Sequence, residues 1–303
     1  MIGRMFSAGK YFLAGIIIVS FVILALSVPA AVGQDLPTRA AVEDVSLADI
    51  LAHSAVYCEN VKAIALYFVC REQIESVHYN YKERMAEGGR VEGPERTFAK
   101  PNRIKFEPHG ARLNRYLYDY QLVNTNGALT ERWTLIEENG HKRNQDLPSP
   151  KDIRFHTSSP LFGPVGFLSR YWQNHFNYEI VGRDRLDDRD TVIVRCEPKI
   201  RGADNDNVGR IRVDIRDGSI LRIEWEPSSI QGYDDKAPEG YRKGIVCRVD
   251  YGVEKNGVRF PSRQVFQESY VDSKDIKTPL EEITFTFLDY KFFTVGVEVK
   301  YRP

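Results

Sequence analysis

Along most of this 303-residue chain, apolar and polar positions alternate with a period of two. That is the pattern of strands with one buried and one wet face. The clearest case is Tyr116, Tyr118, Tyr120 and Leu122, interleaved with Leu117, Asp119, Gln121 and Val123. Asn126-Gly127 follows, and Leu129, Glu131, Trp133, Leu135 and Glu137 return. Asn-Gly between alternating runs predicts a two-residue hairpin turn. Upstream, Leu66, Phe68 and Cys70 alternate with Tyr67, Val69 and Arg71 and predict one long strand reaching Tyr81. Downstream, strands are predicted over 178–183, 191–197, 211–215, 221–225, 245–253, 258–270 and 282–293. Turns fall at Asp187-Asp188, Asp217-Gly218 and Asn256-Gly257.

Two segments break the period. Ser46 with Asp49 fits a capping box, and Leu47, Ile50, Leu51, Ser54, Cys58 and Val61 follow helical spacing, so a helix is predicted from Ser46 to near Val61. Leu161 to Trp172 is a hydrophobic helical segment loosened by Gly163, Pro164 and Gly166. Residues 84–115 lack periodicity and are read as a long loop excursion, and 141–159 as a linker. The expected architecture is mainly β (α+β): a curved antiparallel sheet of about ten strands forming an incomplete barrel, with an N-terminal helix and a mid-chain lid helix.

The first 33 residues change where this fold is expected to work. Arg4 and Lys10 precede an apolar run from Tyr11 to Val28, and Ala31-x-Gly33 places small residues before Gln34. This is the layout of a secretory signal cleaved before Gln34. An uncleaved anchor helix is the other reading, since about 18 apolar residues is the lower edge of a membrane span. The exported part, 34–303, is then a single half-barrel domain with a flexible leader at 34–45. It is expected to be periplasmic or otherwise extracytoplasmic, with no stable transmembrane span after cleavage. Basic and acidic side chains balance at 42 each, which excludes the basic footprint of a nucleic-acid binder.

All four cysteines, Cys58, Cys70, Cys196 and Cys247, lie in the exported part. An even count in an oxidising compartment favours disulfides. A Cys58–Cys70 bridge would close a short loop. Cys196 and Cys247 pair only if their strands are neighbours, and otherwise are two buried thiols. No C-x-x-C, H-E-x-x-H or G-x-S-x-G occurs, and the six histidines are scattered. Asp204-Asn205-Asp206-Asn207 lacks the Gly and the distal Glu of a calcium loop and reads as a solvated turn. No metal, cofactor or enzymatic activity is expected.

The most specific stretch is 176–227. It carries Tyr178-Glu179-Ile180-Val181-Gly182, then Asp190 to Cys196 closing on Glu197-Pro198-Lys199, then Gly209-Arg210-Ile211-Arg212-Val213-Asp214, then Asp217-Gly218-Ser219-Ile220. A strand ending in Pro-Lys, an I-x-V-D strand and an Asp-Gly turn resemble the periplasmic lipoprotein carrier family, the LolA-like fold, and its lipoprotein-sorting relatives. The resemblance implies a non-enzymatic envelope protein that holds an acyl chain or a lipidated partner. Departures are the long 84–115 segment and an extra hairpin around Asn256 to Ser262.

A greasy guest needs an apolar concave lining. The inward phase supplies Phe68, Tyr118, Tyr120, Leu122, Trp133 and Leu135 from the first strands. Val213, Ile215, Leu221, Ile223, Trp225, Phe285 and Phe287 come from the later ones, with Phe162 and Phe167 from the lid. A sixteen-carbon chain gains on the order of 10 kcal/mol gross at about 0.8 kcal/mol per buried CH₂. The same residues would also make an ordinary core. The alternative use of the fold is an envelope sensor or scaffold that binds another envelope protein through the exposed 84–115 segment.

Overall fold

The computed structural model describes residues 45–64, 68–86, 90–92, 97–99, 103–125, 128–147, 153, 160–200, 207–230 and 234–293. The expected signal and almost all of the leader lie outside these residues, as do the Asn126-Gly127 turn and residues 204–206 of the Asp/Asn turn. No helix among the described residues is long and apolar enough to cross a membrane.

The helix α1 spans Leu47–Ile64. Its first turn is capped as the sequence predicts: the Asp49 amide donates to Ser46 Oγ at 3.2 Å, and the Ser46 hydroxyl donates to the Asp49 carboxylate at 2.6 Å. Ile50, Ser54, Cys58 and Val61 form the fully buried stripe. Among the described residues fifteen strands follow it. They are β1 (Phe68–Ala86), β2 (Arg90–Glu92), β3 (Thr97–Ala99), β4 (Arg103–Thr125), β5 (Ala128–Glu138), β6 (His141–Asp146), β7 (Phe176–Leu186), β8 (Arg189–Pro198), β9 (Gly209–Asp214), β10 (Ile220–Trp225), β11 (Tyr241–Asp250), β12 (Val253–Lys255), β13 (Val258–Phe260), β14 (Arg263–Asp272) and β15 (Lys277–Phe292). Two short helices, α2 (Gly163–Leu168) and α3 (Arg170–Gln173), sit between β6 and β7.

Eleven strands form one antiparallel sheet in the order β6-β5-β4-β1-β15-β14-β11-β10-β9-β8-β7. The sheet does not close, since β6 and β7 are its free edges. The incomplete barrel expected from the strand pattern is therefore what the chain builds. Several neighbours are joined by short turns. Asn139-Gly140, Asp187-Asp188 and Asn256-Gly257 each place two successive residues at positive φ, the geometry whose twist matches flanking strands. The exception to sequential order is β1, which lies between β4 and the C-terminal β15.

Three expectations are corrected. Residues 84–115 are not a loop excursion: β1 runs to Ala86 and pairs with β4 down to Arg103, and β2 and β3 pair beyond them. This arm escaped the periodicity because Lys82, Glu83, Arg84, Lys105, Glu107, Pro108 and His109 are all exposed, so it has no continuous buried phase to reveal it. Residues 141–146 of the supposed linker form β6, an edge strand exposed at every position and for the same reason invisible as an amphipathic pattern. The run 258–270 is two strands, parted at Pro261-Ser262, where β13 turns away to pair with β12.

No disulfide forms: all four cysteines are free and buried. Cys58 lies on α1 and its thiol donates to the Pro164 carbonyl at 3.4 Å, whereas Cys70 lies on β1 against the Tyr290 hydroxyl. Cys196 on β8 and Cys247 on β11 are separated by β9 and β10. Three strand spacings are about 14 Å, twice the reach of a bridge. Burial pushes the Cys58 and Cys247 thiols up to about 12, and those of Cys70 and Cys196 further.

Candidate functional site

The register assigns one face of the sheet as inner, and its side chains form rungs across the strands. One rung reads Tyr116, Ile74, Phe285, Gln264, Val249, Ile223, Ile211, Val194 and Ile180, from β4 to β7. It is apolar apart from Gln264. Towards one end of the strands come Leu135, Tyr118, Glu72 and Phe287, then Trp133, Tyr120 and Cys70. Towards the other end come Asn114, Ser76, Ile283, Phe266, Cys247 and Trp225. The next rung is polar: His78, Glu281 and Glu268, with Ile245 beyond them.

The helices cap the apolar rungs. Phe167 of α2 lies 5.6 Å, centroid to centroid, from Phe176 and 6.3 Å from Trp225. The segment is pinned by polar contacts: Tyr251 donates to the Pro160 carbonyl at 2.8 Å, Tyr178 to that of Phe167, and the Gln173 amide to the carbonyls of Leu51 and Leu168. Gly163, one of the residues that loosen this segment in sequence, is a close-approach position, because a Cβ there would come within 2.9 Å of the Tyr251 hydroxyl. A Cβ at Gly166 would meet nothing within 4 Å.

The predicted lining residues other than Leu221 are thus brought together in one core cluster. Phe68, Tyr118, Tyr120, Leu122, Leu135, Phe167, Val213, Leu221, Ile223, Phe285 and Phe287 are buried. Trp133, Phe162, Ile215 and Trp225 are partly buried against that core. Phe68 sits in an aromatic cluster with Tyr120, Phe260, Tyr290 and Phe292. Tyr120 stacks on Trp133 at 5.2 Å, and the Trp133 indole donates to the buried Glu72 carboxylate at 2.9 Å. Ile215 falls just past the end of β9, where its amide bonds to the Asp190 carbonyl.

None of these fifteen residues lines a pocket that opens beside the β1/β4 arm. That pocket, about 420 Å³, lies between the β1/β4 arm and the near ends of β11, β14 and β15. Its walls are His78, Tyr79, Asn80, Tyr81 and Glu83 of β1, Phe106 of β4, Lys243 of β11, Glu268 and Tyr270 of β14, and Leu280 of β15. A volume of this size is in the range of small-molecule sites. The arm is bent over it. Asn80 opposes Gly110 and Tyr81 opposes Pro108, so β4 carries His109 as an extra residue, and such a bulge increases bend and twist. Phe106 then reaches Tyr241 and Tyr270, and Tyr241 donates to the Ile104 carbonyl at 3.0 Å. On the pocket floor, Lys243 Nζ lies 2.9 Å from Glu268 Oε1, with both side chains under a tenth exposed.

The sequence held a signal for this site. Gln264, Phe266 and Glu268 share one strand phase, as do Lys243, Ile245 and Cys247. A charge on the inward phase of an amphipathic strand is costly unless paired, and two such charges on neighbouring strands point to a built polar site.

No family model matches the chain, and no curated protein matches its sequence. Among solved structures it is similar to a LolA superfamily protein from Nitrosomonas europaea, at 12% identity over 83% of this chain and 96% of that one, with a TM-score of 0.33. It is also similar to a DUF1329 family protein from Desulfovibrio piger, at 11% identity over 82% and 95%, TM-score 0.32. A third is an outer membrane lipoprotein-sorting domain from Vibrio parahaemolyticus, at 9% identity over 82% and 95%, TM-score 0.32. Likeness of this extent bears on neither ligand nor partner.

Proposed function

We propose that this chain is an exported, non-enzymatic holder of an amphiphile, taking an acyl chain or a lipidated partner on the inner face of its open half-barrel. The observation that supports the reading is the change of chemistry along that face. The polar pocket at His78, Lys243 and Glu268 is one rung from Ser76, Ile283, Phe266 and Cys247, and two from the apolar rung that crosses nine strands. A guest with a polar end and an apolar tail matches that sequence of rungs; a wholly polar or wholly apolar guest matches only part of it. The apolar rungs lie under α1 and α2 in this state, so uptake requires the short α2–α3 segment to shift, the lid movement its loose sequence suggests.

The test is native mass spectrometry of the purified exported part, with quenching of Trp133 and Trp225 emission by bromine-labelled fatty acid. A bound lipid mass and saturable quenching at micromolar concentration support the reading. An empty protein whose tryptophans stay bright at all concentrations removes it.

A second reading is a sensor or scaffold that grips another envelope protein. It is favoured by the β1/β4 arm, where the Lys82, Arg84, Lys105 and Glu107 side chains face water. Deleting residues 88–102 then abolishes capture of that partner while leaving lipid binding intact.

A further inference from the structure

The pocket beneath the β1/β4 arm has a chemistry of its own. Three aromatic rings gather at it: Phe106 stacks on Tyr270 with centroids 5.0 Å apart at 26°, and Tyr81 meets Phe106 edge-on at 6.1 Å. Tyr241 backs them, 5.1 Å from Phe106. The cation on the floor, Lys243, is already held by Glu268 at 2.9 Å and is almost wholly buried. Glu281 lies opposite Glu268 in the register, next to the pocket floor. Glu83 stands on the wall with an exposed side chain and, among the described residues, takes part in no salt bridge. With Lys243 and Glu268 engaged by each other, the charge that an incoming group meets on the wall is the Glu83 carboxylate, which disfavours an anion. An incoming cation meets carboxylates and ring faces, the combination that recognises ammonium groups.

We propose that this pocket binds an organic ammonium group, the cationic head of an amphiphile, between the Tyr81, Phe106 and Tyr270 rings and the Glu83 carboxylate. The site rests on the amphiphile reading only for the tail. The head is recognised by the pocket alone, and the tail runs towards the Ile283 and Phe285 rungs. Cation–π contact is stronger where the ring face is partly withdrawn from water, and the Tyr81, Phe106 and Tyr270 rings are each half-buried.

Isothermal titration separates head from tail. The probes are decyltrimethylammonium, decyl phosphate and decanol, all below their micellar concentrations, and tetramethylammonium as the free cation. The expected result is that decyltrimethylammonium binds at least about tenfold tighter than decanol, and decyl phosphate no tighter than decanol. Phe106→Leu and Glu83→Gln each weaken the ammonium probe about fivefold and leave decanol unchanged. Glu83 is exposed and Leu keeps most of the Phe106 bulk, so both variants fold, which circular dichroism verifies. Equal affinity for the three decyl probes, or preference for the phosphate, overturns the proposal while leaving the acyl-chain reading standing. Binding of tetramethylammonium that Phe106→Leu abolishes, with no decanol binding, supports the proposal and removes the acyl-chain reading instead.

Discussion

Phe106 and Tyr270 stack with their ring centroids 5.0 Å apart although two strands, β1 and β15, lie between the strands that carry them. A flat sheet holds such residues about 14 Å apart. The contact is therefore a direct measure of how far the β1/β4 arm bends across the mouth of the half-barrel. Phe106→Ala is expected to release the arm. An aromatic pair contributes about 1 kcal/mol beyond its burial, and Phe106 faces Tyr81, Tyr241 and Tyr270 at once. Amide exchange in 79–84 and 104–110 should quicken by an order of magnitude or more while β8 to β10 stay protected. Unchanged exchange in the arm contradicts this.

Gly218 and Gly166 make a matched pair of substitutions with opposite signs. Gly218 has φ +68°, and a Cβ there would come within 2.6 Å of the His53 backbone and side chain on α1. Ser54 Oγ also donates to the Gly218 carbonyl at 3.3 Å, so helix and turn are in direct contact here. Gly218→Ala should cost about 3 kcal/mol through overpacking and left-handed strain. Gly166→Ala, in open space within α2, should stabilise by about 0.5–1 kcal/mol through helix propensity. Urea denaturation of both variants reads the two values.

Tyr118 is 1% exposed, and among the described residues its hydroxyl has no hydrogen-bond partner. Burial, with the Glu72 carboxylate nearby, pushes its phenol well above the usual range. Tyr118→Phe removes a buried, unpaired polar atom and keeps the ring, so stability should be unchanged or rise by about 1 kcal/mol. A loss of 1 kcal/mol or more, read from the same denaturation curves, would show that the hydroxyl is satisfied after all.

The four thiols predict the alkaline behaviour. In the folded chain burial raises them above 9.0, to about 12 for Cys58 and Cys247. Below pH 9 both states are protonated and the thiols contribute no pH dependence. Between about 9 and 12 the unfolded chain loses its thiol protons while the folded chain keeps them, so the unfolded state binds fewer protons and stability falls as pH rises. The native protein should accordingly ignore a thiol reagent at pH 8 and react with four equivalents in guanidinium. Tm should drop progressively above pH 9, and replacing Cys196 and Cys247 by Val should flatten that drop. Prompt labelling of the native protein at pH 8 rejects this account.

Much of the half-barrel was legible because its signals are local. Tyr116 to Leu122 alternates because β4 has one buried face, and Asp187-Asp188 and Asn256-Gly257 turn because both residues of each adopt positive φ. The pocket was less legible. Its walls come from five regions of the chain, and Glu83 and Phe106 lie in an arm with no buried phase to mark it. Only Lys243 and Glu268, charges on the inward phase, left a readable trace.

By itself the sequence determined the strands of the sheet's body, three positive-φ turns, the Ser46 cap and the apolar character of the inner face, since period, turn chemistry and capping act over a few residues. The tertiary structure alone decided that β1 inserts between β4 and β15, that Cys196 and Cys247 stand too far apart to bridge, and that the charged arm bends until Phe106 rests on Tyr270. Those outcomes depend on strand order, twist and the bulge at His109, which are set by pairing between distant segments and leave no local pattern.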